Sequence, residues 1–369
     1  MKNVYGIVYA YHAFPALGEL GRERTGASLP FCGRYRLIDF AMSGLMNAGV
    51  FNVGVIMQRG YLSLMEHLGG GRPWNMSRTD GGLHLLPPYG LWDAGKGVYG
   101  GCMEALDAVS THLHEIREEY VLLTRGDLCA NVDMRAVIET HLASGADITA
   151  VCTERTLPGV HHSFILGPDG GAAELLCRQS EGEGLSSLEM YVMRREKLLE
   201  MVEWCHVHGK LHFHRDALRR AMDQGWRVGV YLHDGYARHI TSVQDFYEAN
   251  MDMLCAENRA QLFPADRRVA TRARSDVSTY YGDGARVHSS LVADGCRIEG
   301  KVKNSVLFRD VVIEKGAEVN NCIIMEGGRI MTEASLRHVI TDRNVIIRDG
   351  RTMMGHENYP ITIAKNATV

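Results

Sequence analysis

Residues 5–40 read YGIVYAYHAFPALGELGRERTGASLPFCGRYRLIDF, and they guide the interpretation of the whole chain. Around the start of this segment Val4, Ile7 and Val8 form a short apolar run, which is typical of the first strand of a buried parallel sheet. Its last residues, Pro30–Phe40, lead into apolar residues at helical spacing. The segment therefore predicts a strand, a loop and a helix at the start of an α/β domain.

The loop after this strand lacks the residues that usually hold phosphate. In nucleotide-binding folds a glycine-rich turn follows the first strand, because glycine lets backbone N–H groups close on phosphate oxygens without a Cβ clash. The corresponding positions here carry Tyr9, Tyr11, His12, Phe14 and Pro15. The strand is typical of a nucleotide-binding domain, and the loop is not.

Composition excludes several classes of protein. The 369 residues suffice for two or three domains of about 150 residues each. A net charge of -4 and a pI near 6.5 disfavour nucleic acid and anionic membrane as partners. Nine scattered cysteines without a C-x-x-C pair argue against a zinc ribbon or a disulfide scaffold. Because the N-terminus carries no leader and no apolar run approaches the roughly 20 residues that span a bilayer, we expect a cytoplasmic protein.

Residues 1–260 alternate apolar runs with helical periodicity, which predicts a Rossmann-like α/β domain with a mostly parallel sheet. A glycine- and proline-rich segment, Gly69–Gly101, predicts a long functional loop at the carboxyl edge of that sheet. The predicted strands are Phe51–Met57, Tyr120–Thr124 and Asp147–Val151, and the predicted helices are Ile38–Asn47, Ala105–Ile116 and Met134–Ser144.

Residues 284–369 follow a different rhythm, in which an aliphatic residue recurs every five or six positions. This spacing predicts a left-handed parallel β-helix of hexapeptide repeats, with coils of about eighteen residues. Two repeats are shortened, and residues 261–283 form a linker. The aliphatic series is Val287, Val292, Ile298, Leu307, Ile313, Val319, Ile324, Ile330, Leu336 and Ile346.

Several motifs carry a resemblance to one family. The run PFCGRYRLIDF at residues 30–40 resembles the PFGGKYRIIDF of glucose-1-phosphate adenylyltransferases, also called ADP-glucose pyrophosphorylases. The resemblance extends over nearly the whole chain. Further matches are NVGV at Asn52–Val55, YEANMD at Tyr247–Asp252, SLVADGC at Ser290–Cys296 and SVLF at Ser305–Phe308.

The resemblance implies a reaction in which an oxygen of glucose 1-phosphate attacks the α-phosphorus of ATP with the help of Mg²⁺. Catalysis of this type is mostly positioning and charge stabilisation. Active members carry a GGxGTRL loop, whereas this chain has AYHAFPAL at Ala10–Leu17. The lysine of their KPAVPF motif aligns with Gly26, and the nearest cation is Arg24.

Active members also hold Mg²⁺ with one aspartate of an SGDH motif and one of GYWRDVGT. Asp127 keeps the first, and the second motif reads GYARHITS at 235–242 with His239 in the place of the aspartate. Imidazole replaces a hard oxygen ligand poorly, and Arg125 would repel a cation. The resemblance therefore implies half a metal site at Asp127, and no cofactor is expected for this chain.

The family's glucose-1-phosphate pocket is built from an EKP and an SMGIY segment. The corresponding regions are Cys177–Gly184 and Ser187–Tyr191. Their acidic residues Glu181, Glu183 and Glu189 would oppose a sugar phosphate.

A chain that keeps the scaffold motifs and loses the catalytic groups resembles the non-catalytic, D-type subunit of Gram-positive glycogen synthesis. The resemblance implies that it joins a catalytic glucose-1-phosphate adenylyltransferase subunit in a heterotetramer and raises its activity. A homo-oligomer of the chain alone is a further expectation.

Three alternatives stay open at this point. The chain is a weakly active transferase that uses Asp127 and Arg24, a stand-alone sugar-phosphate sensor, or a hexapeptide acyltransferase with His288 or His338 as base. A sensor would hold its anion with arginines, and the candidates are Arg22, Arg24, Arg34 and Arg36.

Four histidines in a short run form two H-x-H pairs that would hold a metal ion if they shared one strand face. The competing interpretation treats them as ordinary exposed polar residues near the sugar site. They are His206, His208, His212 and His214.

Overall fold

The computed structural model of the chain describes residues 3–58, 60–79, 81–88, 99–157, 162–168, 170–177 and 184–369. The first part is built on a nine-stranded sheet, with a short hairpin and a two-stranded ladder beside it. Its strands are β1 Val4–Tyr9, β2 Pro30–Phe31, β3 Tyr35–Arg36, β4 Val53–Ile56, β5 Leu83–Leu86, β6 Tyr120–Arg125, β7 Leu128–Ala130, β8 Ile148–Thr153, β9 His162–Leu166, β10 Ala172–Cys177, β11 Leu185–Arg194, β12 Val228–Leu232 and β13 Ala237–His239.

The large sheet has the order β10-β9-β11-β6-β1-β4-β5, and β8 and β12 continue from β11. All its strands except β10 and β11 run in one direction, which confirms the predicted mostly parallel sheet. Alternate residues of β1 enter opposite cores, since Val4 and Val8 pack on one face and Tyr5, Ile7 and Tyr9 on the other.

Helices cover both faces of this sheet. The prediction of a single helix over Ala105–Ile116 is wrong in one respect, because two short helices occupy this segment. They are separated at Val109, whose backbone angles of φ -110° and ψ 13° are not helical. The helices are α1 Ile38–Asn47, α2 Leu62–Leu68, α3 Cys102–Ala108, α4 Ser110–Glu115, α5 Met134–Ser144, α6 Arg195–Val207, α7 Arg219–Asp223, α8 Val243–Asp252 and α9 Ala256–Leu262, with 3-10 turns at Pro15–Gly21, Gly26–Ser28 and Arg72–Trp74 and a π-helical turn at Phe213–Leu218.

The remaining strands form three parallel five-stranded sheets, which are the faces of the predicted parallel β-helix. Successive partners such as Val302, Val319 and Leu336 lie 17 residues apart, one fewer than predicted. The strands are β14 Tyr280–Tyr281, β15 Arg286–His288, β16 Leu291–Val292, β17 Arg297–Ile298, β18 Lys301–Lys303, β19 Val306–Leu307, β20 Val312–Ile313, β21 Glu318–Asn320, β22 Ile323–Ile324, β23 Arg329–Ile330, β24 Ser335–Arg337, β25 Val339–Thr341, β26 Ile346–Ile347, β27 Thr352–Met354 and β28 Ile361–Ile363.

One hydrophobic cluster joins the β-helix to the first domain. Leu37 and Phe40 from the start of α1 pack in the same cluster as Phe308, Met325 and Ile340 from the β-helix. The two parts therefore share a core instead of meeting only at their surfaces. Among the described residues, no helix has the length and apolar composition needed to cross a membrane. All nine cysteines are free thiols.

Candidate functional site

The candidate site lies at the carboxyl edge of the large sheet, where the parallel strands β1 and β6 end side by side. Tyr9, the last residue of β1, is the register partner of Arg125, the last residue of β6. The Gly126 backbone N–H donates to the Tyr9 carbonyl at 2.7 Å, which extends the β1–β6 ladder by one hydrogen bond. Asp127 is thereby fixed at the edge where Rossmann-like folds bind their ligands.

Arg125 occupies both carboxylate oxygens of Asp127. Its Nε donates to Oδ1 at 2.7 Å, and its Nη2 donates to Oδ2 at 3.0 Å. Both side chains are buried, with Arg125 8% and Asp127 1% exposed. Burial alone would raise the pKa of Asp127, but the charges of Arg125 and His12 outweigh it and hold the pKa well below its usual range. The carboxylate is ionised, and a cation of the chain itself neutralises it.

Glu189 is a second carboxylate on Arg125, and a β-bulge positions it. The register between β11 and β8 shifts between Ser187 and Met190, and Glu189 has a left-handed φ of 52°. Its Oε2 accepts from Arg125 Nη1 at 3.0 Å, and its Oε1 lies 3.3 Å from His162 Nδ1. Burial alone would raise the pKa of Glu189, but Arg125 and His162 hold it well below its usual range.

His239 lies near Arg125, Asp127 and Glu189, which we call the Arg125 cluster. The two-stranded ladder of β7 and β13 places it there. In the antiparallel pairing of β13 with β7, it lies opposite Leu128, which directly follows Asp127. Burial, helped by the charge of Arg125, lowers the pKa of His239 to about 4, so the ring is neutral at neutral pH. Neither ring nitrogen makes a hydrogen bond of normal geometry with the described part of the chain.

Aromatic rings fill the loop after β1. The His12 ring lies 4.6 Å from the Tyr11 ring and is stacked 6.0 Å from the Phe14 ring, measured between centroids. The Arg125 guanidinium lies 5.7 Å from the centroid of Phe14. Side chains therefore cover the sheet edge at the place where a glycine-rich turn would expose backbone N–H groups.

A cavity of about 610 Å³ opens beside this loop. Its far wall carries a pair of imidazoles, His162 from β9 and His214 from the π-helical turn, whose rings stack with centroids 3.7 Å apart. The Tyr191 hydroxyl is hydrogen-bonded to His214 Nε2 at 2.5 Å. Burial, together with the nearby His162, lowers the pKa of His214 to about 3. The cavity is therefore lined mainly by aromatic and imidazole side chains, and the charged residues Arg125, Glu189 and Arg215 also line it.

The residues at the family's magnesium position do not fit Mg²⁺. This ion needs several hard oxygen ligands, but the two oxygens of Asp127 are taken by Arg125, and the second position is the imidazole of His239. Gly26, which aligns with the family's lysine, lies directly against this carboxylate, since a Cβ on it would be 3.2 Å from Asp127 Oδ2. A lysine side chain at this position would start beside the same Asp127 carboxylate that Arg125 binds in this chain.

Two of the predicted anion-binding arginines lie in a second cavity, of about 240 Å³, between the first domain and the β-helix. Arg34 is exposed, and Arg36 is half-buried with its Nη1 on Ser63. Burial lowers the pKa of Arg36 to about 10, and the charge of Arg343 adds to this. Four more arginines, Arg272, Arg274, Arg309 and Arg343, complete the lining. We call this cavity the arginine pocket.

The structure separates Arg24 and Arg22 from the arginine pocket. Arg24 is 8% exposed and donates through Nη2 to both oxygens of Asp342 in the β-helix, at 2.8 Å each. Its guanidinium is thus committed to joining the two domains and is not directed at Asp127. Arg22 is exposed and pairs with Glu19.

The histidine run does not share one strand face. His206 lies in the last turn of α6 beside Asp107, and His208 follows the helix with its Nδ1 2.8 Å from the Trp204 carbonyl. His212 precedes the π-helical turn. His214 alone is buried, so the interpretation of all four as ordinary exposed residues is wrong for this one. Sequence reasoning also missed His162, since only tertiary packing brings it to His214.

The other residues predicted from the sequence lie in several different places. Of the three acidic residues predicted near the sugar pocket, Glu189 lies in the cluster, and Glu181 and Glu183 fall outside the described residues. His288 is exposed on the β-helix, whereas the Nδ1 of His338 is hydrogen-bonded to the Tyr247 hydroxyl at 2.8 Å where the two domains meet.

Comparisons with known proteins agree with this architecture. Residues 17–158 match the sequence model of the nucleotidyl transferase family, and residues 276–359 match that of the GlmU-like, C-terminal hexapeptide region. The first match runs from the 3-10 turn after β1 through β8. The second covers most of the β-helix.

Curated relatives match the chain over nearly its whole length. The chain is 29% identical over 348 residues to a glucose-1-phosphate adenylyltransferase of Bacillus cereus strain Q1, covering 93% of this chain and 92% of the relative. It is 28% identical over 363 residues to the enzyme of Bacillus cytotoxicus, covering 97% and 96%. The chain is therefore similar to glucose-1-phosphate adenylyltransferases over nearly its whole length, and its two parts match a nucleotidyl transferase model and a GlmU-like hexapeptide model.

Proposed function

We propose that this chain is a non-catalytic, regulatory subunit of glucose-1-phosphate adenylyltransferase in bacterial glycogen biosynthesis, which raises the activity of a catalytic sister chain in a cytoplasmic heterotetramer. The observation that supports it best is the Arg125 guanidinium on both oxygens of Asp127. In this position the cation of the chain takes the place that the family reaction gives to Mg²⁺.

Several losses act together against catalysis by this chain alone. The loop after β1 presents rings, Gly26 replaces a phosphate-binding lysine, and His239 replaces an acidic ligand. Removal of one preorganised charge stabiliser typically lowers the rate by about 10²- to 10³-fold. Even where such effects combine less than additively, turnover of this chain becomes negligible.

A subunit without catalysis acts by favouring the active conformation of its partner. The shared core of the two domains suits this role, because both domains contribute side chains to one continuous hydrophobic cluster. The buried Arg24–Asp342 pair adds a fixed link between them. No ligand in the Asp127 site is needed for such an effect.

The test is a titration of the purified chain into the catalytic chain while ADP-glucose formation is measured. We expect no product from this chain alone, a rise in turnover of the mixture, and an oligomer that contains both chains. Unchanged turnover and oligomer size on mixing would contradict the proposal.

The arginine pocket supports a second function, the binding of a phosphorylated effector. Six arginines line it, and only Glu66 and Glu326 are acidic in its lining. Glu326 is shared between Arg274 and Arg343, and Arg309 pairs with Asp276. Among the described residues this leaves three arginines of the pocket without a carboxylate ion pair, namely Arg34, Arg36 and Arg272, of which Arg34 is exposed. An anion with two phosphates matches this arrangement.

We expect Arg34→Gln to weaken the binding of fructose phosphates by at least about tenfold, since a charge-assisted hydrogen bond contributes about 1.5–3 kcal/mol. Calorimetry with fructose phosphates and glucose 1-phosphate, on the chain without a partner, measures this. Arg286→Gln, an exposed arginine on β15 outside the pocket, is the matched control and should bind normally. Equal affinity of both variants would exclude the pocket as the effector site. Strong binding without any partner chain would favour the sensor over the subunit.

A further inference from the structure

We propose that His162, Glu189 and His214 form a binding site for a borderline transition-metal ion such as Zn²⁺, distinct from the family's magnesium position. One ligand atom from each residue lies within 4.8 Å of the other two. The three side chains come from β9, the bulge of β11 and the π-helical turn, so a bound ion would tie three separate segments together.

The donor set selects the kind of ion. Two imidazoles and one carboxylate are typical ligands of Zn²⁺, whereas Mg²⁺ prefers oxygen ligands throughout. Zn–N bonds of about 2.0–2.1 Å in a tetrahedral site place the ligand atoms about 3.3 Å apart. The His162 Nδ1 and Glu189 Oε1 atoms are already 3.3 Å apart, and all three ligand atoms lie within 4.8 Å of one another. Because the His162 and His214 rings are stacked, one of them must rotate for both to direct a nitrogen at the same ion.

The charges around the cluster also suit a cation. Arg125 bonds to both Asp127 and Glu189, so with both carboxylates ionised the three side chains together carry one net negative charge, which favours a cation nearby. The two oxygens of Glu189 have separate partners, because Oε2 faces Arg125 and Oε1 faces His162. The ion would therefore use an oxygen that is not committed to the guanidinium.

Two neighbouring side chains are placed as a metal site requires. Tyr191 fixes the His214 ring through Nε2, as the outer partners of metal-ligating histidines do. His239 is 1% exposed and lies close to Glu189. Its ring contacts the Ser187 backbone, but neither ring nitrogen makes a hydrogen bond of normal geometry with the described residues. A water in the fourth position of a tetrahedral ion would give this buried imidazole a partner. The His162 side chain is 23% exposed at the cavity wall, which leaves a path for the ion.

The experiment measures metal binding by the full chain after treatment with a chelator. We expect one Zn²⁺ per chain in competition with a chromophoric chelator, a tetrahedral absorption spectrum with Co²⁺, and no binding of Mg²⁺ at this site. His162→Ala, Glu189→Gln and His214→Ala should each weaken Zn²⁺ binding by at least about 100-fold, since even the loss of an outer partner lowers affinity by about 10- to 100-fold.

His208→Ala is the matched control, because His208 is exposed and lies in the same histidine run but outside the cluster. It should bind Zn²⁺ as the unchanged chain does. His162→Ala keeps the test decisive if His214→Ala fails to fold, since His162 is the more exposed of the two. Absence of stoichiometric binding, or equal affinity of His162→Ala and His208→Ala, would overturn the metal site. Neither of these two outcomes would argue against the regulatory-subunit proposal, which rests on the contact between Arg125 and Asp127.

Discussion

Replacing Arg125 by methionine is expected to lower the free energy of unfolding at neutral pH by about 3–5 kcal/mol, the range for breaking a buried ion pair from one side. The guanidinium donates to three oxygens on two carboxylates, Asp127 and Glu189. Without it Asp127, which is 1% exposed, keeps only His12 at 3.3 Å as a counter-charge. The loss should lie at the upper end of the range because two carboxylates lose their partner at once.

The size of this loss should depend on pH. In the folded chain the pKa values of Asp127 and Glu189 are well below their usual range, and Arg125 is the main cause that lowers them against burial. Such groups add stability above the usual carboxylate pKa of about 4, and this stability is lost as the pH falls through the folded values. The variant lacks the contribution, so the difference between the two chains should shrink as the pH falls below about 4.

Denaturant unfolding of both chains across this pH range measures the effect. Arg215→Met is the matched control, since Arg215 lies at the same cavity but its side chain is 64% exposed and pairs only with Asp216. It should change stability by no more than about 0.5 kcal/mol. The double variant Arg125→Met, Asp127→Asn should recover part of the loss, because it removes one buried charge. A loss that does not vary with pH would mean that packing, and not charge, explains the effect.

The β-helix shows how far a sequence period determines a fold. The aliphatic spacing predicted the stacked coils, since most inward positions are apolar. The prediction was one residue off at the last coil, where Ile347 and not Ile346 continues the column of Ile330. One of the two repeats that seemed shortened has its full length, because Thr341 follows Ile324 in the third column and is fully buried. A threonine at an inward position is invisible to a search for aliphatic residues.

The candidate site was predictable only in part. The motifs located Asp127 and His239, because both stand at fixed offsets from strands that the sequence reveals. The sequence also marked Arg125 as unfavourable for a cation, but its bond to Glu189 depends on a β-bulge that no local pattern signals. Arg24 seemed a substitute for a catalytic lysine, yet its partner Asp342 lies in the other domain. Pairs so distant in sequence follow from how the domains pack.

Replacing Asp342 by asparagine is expected to lower the free energy of unfolding by about 3 kcal/mol or more, since it leaves the charge of Arg24 buried without a counter-charge. Asp342 is 1% exposed and accepts two hydrogen bonds from Arg24, one on each oxygen. Met325 of the shared hydrophobic cluster contacts this pair, with its sulfur 4.0 Å from Arg24 Nη1. Water therefore cannot replace the lost carboxylate charge without opening the contact between the domains.

A second ion pair between the same domains provides the control. Lys365 of the β-helix lies 3.1 Å from Glu23, but these side chains are 39% and 64% exposed. Because exposed pairs contribute only about 0–1 kcal/mol, Lys365→Met should leave stability nearly unchanged. Unfolding of the two variants followed by calorimetry should show a clearly lower transition temperature only for Asp342→Asn. If the double variant Arg24→Met, Asp342→Asn is no more stable than Asp342→Asn, the buried charge is not the cause, and the pair acts through its shape in the shared core.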